Sequence, residues 1–411
     1  MNYNIIVVGG GAAGLMAAST AAMYGKSVLL IDKNERLGRK LLITGKGRCN
    51  VTNDCDANDF IKNIPTNSKF LYSAINQFTT QDTKDFFETQ GVELKTERGN
   101  RVFPVSDKAF DICEALIKSC RKNNVQVKKA RVTALLTSNG AVTGVKCDNG
   151  ETINAPNVIL ATGGMSYPLT GSNGDGYVLA KSVGHTISDI RPSLVPIVSE
   201  NEMCKDMQGL SLKNVEVSLH DKITAKIIFK ELGEMLFTHF GMSGPLILSA
   251  SSHINKMEKN RYFFKIDLKP GLTHEQLDAR ILRDFTKFAN KDFINGLGEL
   301  LPKKMIPIIV MQSKIPPFTK INQITKDMRK DLVDLIKGLA VDVDGFRPID
   351  EAIITSGGVK TTEIQPKTME SKLVSGLYFA GEMIDVDGYT GGFNLQIAFS
   401  TGYLAGINCA Y

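Results

Sequence analysis

The N-terminal apolar run, Ile5 to Val8, contains no polar residue and is rich in β-branched side chains, which is typical of a short strand buried on both faces. A glycine-rich stretch follows it, and then an alanine-rich stretch that predicts a helix ending near Gly25. A second apolar run, Val28 to Ile31, stops at Asp32. The pattern therefore predicts a strand, a glycine turn, a helix and a second strand at the start of the chain.

The chain up to residue 161 mixes helical and strand periodicity. Apolar residues recur at helical spacing in residues 70–91 and 111–123, which predicts helices, and residues 97–104 between them predict a turn and a short strand. Residues 125–161 predict a meander of strands, since apolar runs there are separated by Asn-Gly turn signals. This part of the chain therefore combines helices with several short strands.

The pattern changes again after Pro192. Short alternating segments between about 195 and 270 predict an antiparallel β domain, and charged amphipathic helices are predicted from 273 to 340. Within the β region, residues 236–245 predict a strand, a turn and a helix start that has Ser243 as its cap and Pro245 in its first turn. A buried-strand pattern returns at 377–382, before a glycine-rich stretch and a last helix.

The glycine turn carries a dinucleotide fingerprint, GxGxxG, formed by Gly9, Gly11 and Gly14, with Asp32 18 residues after the third glycine. Gly9 allows a tight turn, Gly11 lets the backbone approach a pyrophosphate, and Gly14 lets the helix pack closely on the strand. The helix N-terminus attracts phosphate, and Asp32 can accept hydrogen bonds from a ribose. The alternative is a glycine turn that binds no nucleotide, and the register of strand, helix and acid disfavours it.

Composition narrows the class of protein. The 411 residues, 43% of them hydrophobic, suffice for two or three domains. The net charge of +6 is weak support for an anionic partner, because a solvated mixed surface explains it equally well. Seven cysteines without a CxxC pair suit a reducing cytoplasm, and the histidines show no metal-ligand spacing. The chain enters its first strand at once and has no apolar run of about 20 residues, so we expect a cytoplasmic protein without a membrane span or metal site.

Residues 33–55 form a basic, glycine-containing segment directly after the acid at the strand end. Five positive charges fall within thirteen positions, at Arg36, Arg39, Lys40, Lys46 and Arg48. Such a loop beside a nucleotide-binding strand is well placed to meet phosphates or an anionic substrate. A solvated surface loop is the alternative explanation.

Further segments carry a family resemblance. ATGG at 161–164 and LYFAGE at 377–382 resemble the second and third nucleotide-binding segments of two-dinucleotide-binding-domain flavoproteins. With GRKLLITGKGRCNVTN at 38–53, FTHFGMSGP at 237–245, TSGGV at 355–359 and GYTGGFNLQIAFSTGYLAG at 388–406, the whole chain resembles the BaiN/RdsA or HI0933-like flavoprotein family, also called aminoacetone-oxidase-like. The ribose acid is more often Glu in such proteins, and Asp32 is shorter.

The resemblance implies an α/β fold in three parts. A discontinuous Rossmann-like FAD-binding domain would comprise residues 1–190 and 346–411. An inserted antiparallel β-barrel-like domain would comprise 191–272 and 341–345, and a small helical domain, 273–340, would be nested within it. The changes of pattern at about 191, 273 and 345 fall where this layout needs them.

The fingerprint and the resemblance together imply FAD, with the pyrophosphate at the glycine turn, the adenosine ribose at Asp32 and the adenine at Val132. Glu382 would lie near the ribityl chain or pyrophosphate, and peptide N–H groups of residues 392–395 would face the flavin pyrimidine carbonyl. The residues expected to bind the cofactor are Gly9, Gly11, Ala12, Ala13, Gly14, Asp32, Lys33, Arg39, Lys40, Thr44, Gly47, Arg48, Cys49, Asn50, Val132, Ala161, Thr162, Gly163, Gly164, Gly381, Glu382, Asp385, Gly391, Gly392, Phe393, Asn394, Leu395 and Gln396.

Four residues are candidates for catalysis: Arg48, Cys49, Asn50 and His239. Neighbouring cations would lower the pKa of Cys49 if they lie close in space, making it a proton donor to carbon or a redox-sensitive thiol. The alternative is a small packing residue that supports the loop. His239 is either an acid or base that reaches the flavin or a hydrogen-bonded structural histidine.

Three functions remain open. A flavin oxidoreductase would reduce a conjugated, enone-like C=C by hydride transfer from flavin N5, or would oxidise a small amine with O2. An RNA-modifying enzyme would reduce uridine to dihydrouridine in ribosomal RNA by the same chemistry. Arg98, Arg101 and a group of cations in the helical region favour RNA: Lys287, Lys291, Lys303, Lys304, Lys320, Lys326, Arg329 and Lys330.

The third possibility is a non-enzymatic flavin-binding protein. No second complete GxGxxG fingerprint lies in the middle of the chain, so any NAD(P)H is expected to bind transiently at the flavin face. The partner is thus expected to be a small-molecule substrate or ribosomal RNA.

Overall fold

The computed structural model of the chain describes residues 3–411, which divide into two compact units. One unit joins the chain up to Ser193 to Pro348–Tyr411, and the other is Leu194–Arg347. The three-part division into FAD, β and helical domains stays a prediction.

The N-terminal segment of the first unit alternates strands and helices. Its strands are β1 Ile5–Val8, β2 Val28–Asp32, β3 Thr52–Asn53, β4 Leu94–Glu97, β5 Arg101–Pro104, β6 Gln126–Lys129, β7 Val132–Ser138, β8 Ala141–Cys147, β9 Thr152–Asn154, β10 Asn157–Leu160 and β11 Arg191–Ser193. Its helices are α1 Ala12–Met23, α2 Arg39–Ile43, α3 Ala57–Lys62, α4 Tyr72–Gln77, α5 Thr80–Thr89, α6 Ala109–Lys122 and α7 Asp175–Ser182.

The second unit contains strands β12 Ile197–Val198, β13 Ser211–Asp221, β14 Lys226–Thr238, β15 Gly241–Ser243, β16 Tyr262–Asp267, β17 Leu339–Val343 and β18 Gly345–Phe346. Its helices are α8 Glu202–Asp206, α9 Pro245–Ser251, α10 His274–Lys287, α11 Ile306–Ser313 and α12 Lys326–Lys337. The chain then returns to the first unit with β19 Ile354–Ser356, β20 Leu377–Phe379 and α13 Phe393–Ala410.

A five-stranded parallel sheet is the framework of the first unit, with strand order β20-β10-β1-β2-β6. Strand β1 and residues 158–160 of β10 are apolar and buried, as the sequence pattern predicts for strands covered on both faces. Because β20 pairs with β10, the C-terminal segment completes a sheet that the N-terminal segment begins. This arrangement confirms the Rossmann-like α/β fold.

Helices α1 and α13 pack so closely that small residues are required between them. A Cβ built at Gly402 would overlap the carbonyl oxygen of Ala13, and one built at Gly406 would overlap that of Ala17. The alanine-rich sequence of α1 therefore serves this contact, since larger side chains would hold the two backbones apart.

The second unit is built on a seven-stranded antiparallel sheet of order β17-β16-β13-β14-β15-β12-β18. Its core is continuous with the buried faces of α10 to α12. Among the described residues no pairing joins the edge strands β17 and β18, so the sheet is antiparallel as expected, while its closure into a barrel stays a prediction.

Two local expectations are wrong. Gly244 is the N-cap of α9, with no side-chain cap, because Ser243 pairs with Leu236 at the end of β15. The basic segment after Asp32 is not simply a loop, because α2 begins at Arg39 within it.

Candidate cofactor site

A pocket of the first unit lies where the carboxyl ends of four parallel strands meet. Val8 of β1, Asp32 of β2 and the residues directly after β10 and β20, Ala161 and Ala380, all line it. The chain leaves β1 toward β2 on one side, while β10 flanks β1 on the other side. Ligands of open α/β sheets bind at such a change of direction, because the loops there diverge and leave a crevice.

The glycine turn has the geometry that the fingerprint predicts. Gly9 has a φ of +104°, and a Cβ at Gly14 would overlap the carbonyl oxygen of Gly9, so the predicted tight turn and close helix packing are both confirmed. A Cβ at Gly11 would meet no heavy atom within 4 Å, and Gly11 lines the pocket. Gly11 is also the N-cap of α1, with no side-chain cap. The turn therefore presents an open cradle at a helix N-terminus, which suits a pyrophosphate.

Asp32 lies at one end of the pocket, with its carboxylate already fixed by the backbone. One oxygen accepts from the N–H of Gly10 at 2.6 Å and the other from the N–H of Asn34 at 2.7 Å. Each carboxylate oxygen has a further lone pair. Asp32 is thus oriented and can still accept a hydroxyl, which suits the ribose role expected of it.

The part of the pocket beside Asp32, where the adenosine is expected, also contains ion pairs that the sequence did not predict. Asp175 pairs with Lys33 at 2.7 Å and with Arg131 at 2.7 Å, and Lys33 also donates to Asn173. Burial opposes ionisation of Asp175, but the two cations lower its pKa below the ordinary value. The signal was the polar glycine sequence 171–176, which runs into the first turn of α7 and lies near ATGG.

Lys40 and Glu382 form an ion pair on the pocket wall. Lys40 also donates to the Ser166 hydroxyl at 2.7 Å, and Glu382 accepts from the N–H of Thr355 at 2.9 Å. Both charged side chains are largely buried. Lys40 offsets a carboxylate that would otherwise repel the phosphates of a bound dinucleotide.

The GRCNVTN stretch holds the N-terminus of α13 in place. With its amide oriented so that each polar atom finds a partner, Asn50 accepts from the N–H of Gly392 at 3.0 Å and donates to backbone oxygens of Val102 and Thr52. The Thr52 hydroxyl lies 2.6 Å from Gln396, and Asn53 donates to the backbone oxygen of Gly391 at 3.0 Å. In this orientation Asn50 accepts the Gly392 N–H, while the expectation that the N–H groups of residues 392–395 face the flavin stays a prediction.

Arg48 and Cys49 do not line the pocket. Arg48 donates to Glu97 and Asp107, and its guanidinium lies 4.2 Å from the centre of the Phe103 ring. Cys49 is fully buried, and burial raises the pKa of its thiol to about 12. The expected lowering of this pKa is wrong, because Arg48 turns its charge toward the two carboxylates.

His239 belongs to the second unit, where it is exposed at the turn between β14 and β15, with its ring 5.0 Å from that of Phe240. Its role in catalysis stays a prediction.

Many of the residues that were expected to bind the cofactor line the pocket. These residues are Gly9, Gly11, Ala12, Ala13, Asp32, Lys33, Arg39, Lys40, Thr44, Val132, Ala161, Thr162, Gly163, Gly381, Glu382, Asn394 and Leu395. Outside the lining are Gly14, Gly47, Arg48, Cys49, Asn50, Gly164, Asp385, Gly391, Gly392, Phe393 and Gln396. Lining residues not expected from the sequence include Gly10, Asn34, Arg36, Arg131, Ser172, Asp175 and Ile354.

Residues 3–411 contain no cluster of His, Cys, Asp and Glu that could hold a metal ion. In the same range no helix is both long and apolar enough to cross a membrane.

Comparison with known proteins places these features in context. The family described as "HI0933-like protein Rossmann domain" matches residues 3–408. A 3-dehydro-bile acid Δ(4,6)-reductase of Clostridium scindens is 33% identical over 97% of this chain and 97% of its own length. Ribosomal RNA dihydrouridine synthases are similar too. The Escherichia coli enzyme is 31% identical, over 98% of this chain and 96% of its own, and the Haemophilus influenzae enzyme is 33% identical, over 98% and 97%.

Solved structures share the fold at lower identity. A 3-ketosteroid-Δ4-(5α)-dehydrogenase from Rhodococcus jostii RHA1 has a TM-score of 0.56 and 15% identity, covering 100% of this chain and 97% of that one. A flavocytochrome c3 fumarate reductase has a TM-score of 0.54 and 18% identity, covering 100% of this chain and 78% of that one.

Proposed function

Because the chain belongs to the HI0933-like family and is an FAD-dependent oxidoreductase, we propose that it reduces an activated C=C bond of its substrate. One observation carries the proposal. Two kinds of relative, matched over nearly the whole chain at 31–33% identity, are named for reactions that saturate such a bond. The open cradle at Gly11, where a Cβ would meet no heavy atom within 4 Å, supports a cofactor site at this turn.

The proposed FAD site uses both ends of the chain. The turn from Gly9 to Ala13 would hold the pyrophosphate, Asp32 the adenosine ribose and the strand start at Val132 the adenine. Asn394 and Leu395, at the start of α13, line the pocket and would lie near the flavin pyrimidine. The positive end of this eighteen-residue helix favours negative charge there. Bound FAD would supply the hydride that the reduction requires.

The fixed side chains around this pocket would orient the cofactor. Asn50 holds the Gly392 end of α13 by hydrogen bonds, and the side chain of Asn394 is locked by the backbone of Gly388 at 2.7 and 2.8 Å. Such support keeps the helix N-terminus in one position before the substrate arrives, so no reorganisation is needed during the reaction.

For the substrate we propose uridine in ribosomal RNA, with dihydrouridine as the product. The support is the pair of RNA-modifying relatives and a locally basic second unit. A small conjugated ketone is the second candidate, and the bile acid reductase favours it. Both substrates present a C=C conjugated to a carbonyl, so one cofactor arrangement serves either.

The electron donor is proposed to be NAD(P)H, which would bind transiently at the flavin face. Oxidation of a small amine with O2 remains the competing reaction. Anaerobic mixing of the purified holoenzyme with NADH, NADPH or aminoacetone, followed by flavin absorbance, separates the two. Rapid bleaching by a nicotinamide supports a reductase, while bleaching by aminoacetone alone contradicts it.

The substrate is tested in the next half-reaction. The reduced enzyme is mixed anaerobically with ribosomal RNA lacking the modification or with a conjugated 3-ketosteroid, and the product is identified by mass spectrometry. A gain of two hydrogens in the RNA supports the uridine proposal, and the same gain in the steroid alone supports the second candidate. If neither substrate reoxidises the flavin, C=C reduction is the wrong reaction for this chain.

A further inference from the structure

Residues 287–330 of the second unit carry an excess of positive charge as large as that of the whole protein. This stretch contains nine Lys and Arg against three Asp and Glu, a difference equal to the net charge of +6 of the whole chain. Several of its lysines are exposed and have no ion-pair partner among the described residues: Lys303, Lys314, Lys326 and Lys330. Unpaired cations on one stretch create a positive field that attracts a polyanion.

A rigid turn lies within this stretch, at Pro316–Thr319. The N–H of Thr319 donates to the carbonyl oxygen of Pro316 at 3.0 Å, which closes the turn, and Pro317 holds its second position. The backbone of residues 293–294 fixes the turn from the side. Phe293 N–H donates to the Thr319 oxygen at 2.9 Å, and Ile294 N–H donates to the Pro317 oxygen at 3.1 Å.

Phe318 stands at the third position of this turn with 76% of its surface exposed. Phe285 and Phe293 of the same unit are buried, as large aromatic side chains generally are. The exposed ring is flanked in sequence by Lys314 and by Lys320, which pairs with Asp292 at 2.8 Å. A backbone hydrogen bond from Ile321 to Lys291 places the exposed Lys291 on a segment next to the turn. A ring held by a rigid turn in water, in a stretch of excess positive charge, gains little for the fold and is pre-organised for a partner.

We propose that Phe318 stacks on an unpaired base of RNA while Lys291 and Lys314 neutralise the adjoining phosphates. The inference rests on the proposed function, since it assigns the RNA-binding element of that same enzyme. Single-stranded nucleic acid is bound by this combination of an aromatic ring with a cationic surround, because every base has a face that can stack and every nucleotide has a phosphate.

The test uses the full-length holoenzyme and a fluorescent fragment of large-subunit ribosomal RNA that includes a single-stranded loop. F318A should weaken binding about 5- to 100-fold, the range typical of losing one base–aromatic stack. F318L should weaken it similarly, because leucine keeps the apolar surface but has no ring, and F318W should restore it. Replacing Lys291 and Lys314 with Gln should reduce the salt dependence of the affinity.

L232A is the matched control. Leu232 is 64% exposed in the same unit, but its neighbours Glu231 and Glu234 are acidic. L232A should bind the RNA fragment as tightly as the unaltered protein. In every variant, the electron donor should bleach the flavin at the unaltered rate. If the unaltered enzyme reduces a small conjugated ketone, every variant should reduce it at the same rate.

Several outcomes would overturn the inference. One is F318A binding the fragment as tightly as the unaltered protein. Another is F318L binding normally, together with Phe318-dependent binding to anionic phospholipid vesicles, which would make the surface a membrane contact. If the unaltered enzyme reduces a small C=C substrate but binds no RNA, the inference fails while C=C reduction stands. Loss of flavin reduction in the unaltered enzyme would instead count against the proposed function.

Discussion

Replacing Gly11 with Ala should change the affinity for the cofactor without changing the stability of the fold. Gly11 has φ −85° and ψ −167°, an extended conformation open to any residue, and its new Cβ would meet no heavy atom within 4 Å. Alanine is less favourable than glycine at an N-cap, which lowers the free energy of unfolding. It also reduces the conformational freedom of the unfolded chain, which raises that free energy, and each effect is less than about 1 kcal/mol. The apo protein should therefore keep its free energy of unfolding to within about 1 kcal/mol.

The added methyl should act on FAD instead, because it fills the side of the cradle where the pyrophosphate is proposed to lie. Forcing one such group into a tight contact costs about 1–3 kcal/mol. Since about 1.4 kcal/mol corresponds to a factor of ten, the Kd for FAD should rise about 5- to 150-fold. Gly11→Val should abolish binding, because its branched side chain occupies more of the same space.

The assay is a titration of apo protein with FAD, followed by quenching of flavin fluorescence, alongside urea unfolding of the apo proteins. Gly14→Ala is the contrasting variant, because its Cβ would overlap the carbonyl oxygen of Gly9 and should destabilise the apo fold by about 1–3 kcal/mol or more. An unchanged Kd for Gly11→Ala in a folded protein would refute the proposed pyrophosphate position. A colourless protein that takes up no added FAD at all would refute the cofactor.

Three further predictions concern other parts of the chain. Cys49, whose burial raises its pKa to about 12, should resist iodoacetamide at pH 8 in the native protein, and mass spectrometry of the labelled cysteines would reveal an exception. Asn50→Ala should free the Gly392 N–H and weaken FAD binding while Asn50→Asp, which keeps the acceptor, retains more of it; equal affinities in the titration would contradict this. Arg261 holds the pKa of Asp221 well below its ordinary value, so the pair stabilises the protein above about pH 4 and the benefit disappears as the pH falls through the lowered pKa. Asp221→Asn should therefore lower the urea midpoint more at pH 7 than at pH 2.5, where part of the benefit has already been lost, and an equal loss at both pH values would rule out the ion pair as its cause.

Several parts of the site were readable from sequence because their causes are local. The roles of Gly9 and Gly14 follow from backbone conformation and contacts within a few residues, and both are confirmed. The apolar runs of β1 and of residues 158–160 in β10 likewise predicted strands covered on both faces. Such features depend on steric limits and burial, which act on short stretches of chain.

The tertiary structure decided what depends on partners distant in sequence. Arg48 follows a basic run, yet Glu97 and Asp107 draw its guanidinium away from Cys49, so the expected effect on the thiol pKa is reversed by burial. Asn50 reaches Gly392, more than three hundred residues along the chain, a contact that its position in the sequence does not reveal.

Sequence alone thus determined the α/β fold, the dinucleotide turn and the family, because each follows from a continuous pattern of residue types. It did not determine which polar side chains face the pocket. That choice is a competition between hydrogen-bond and ion-pair partners that come together only after the chain folds, and the strengths of those interactions depend on distance and burial rather than on spacing in the sequence.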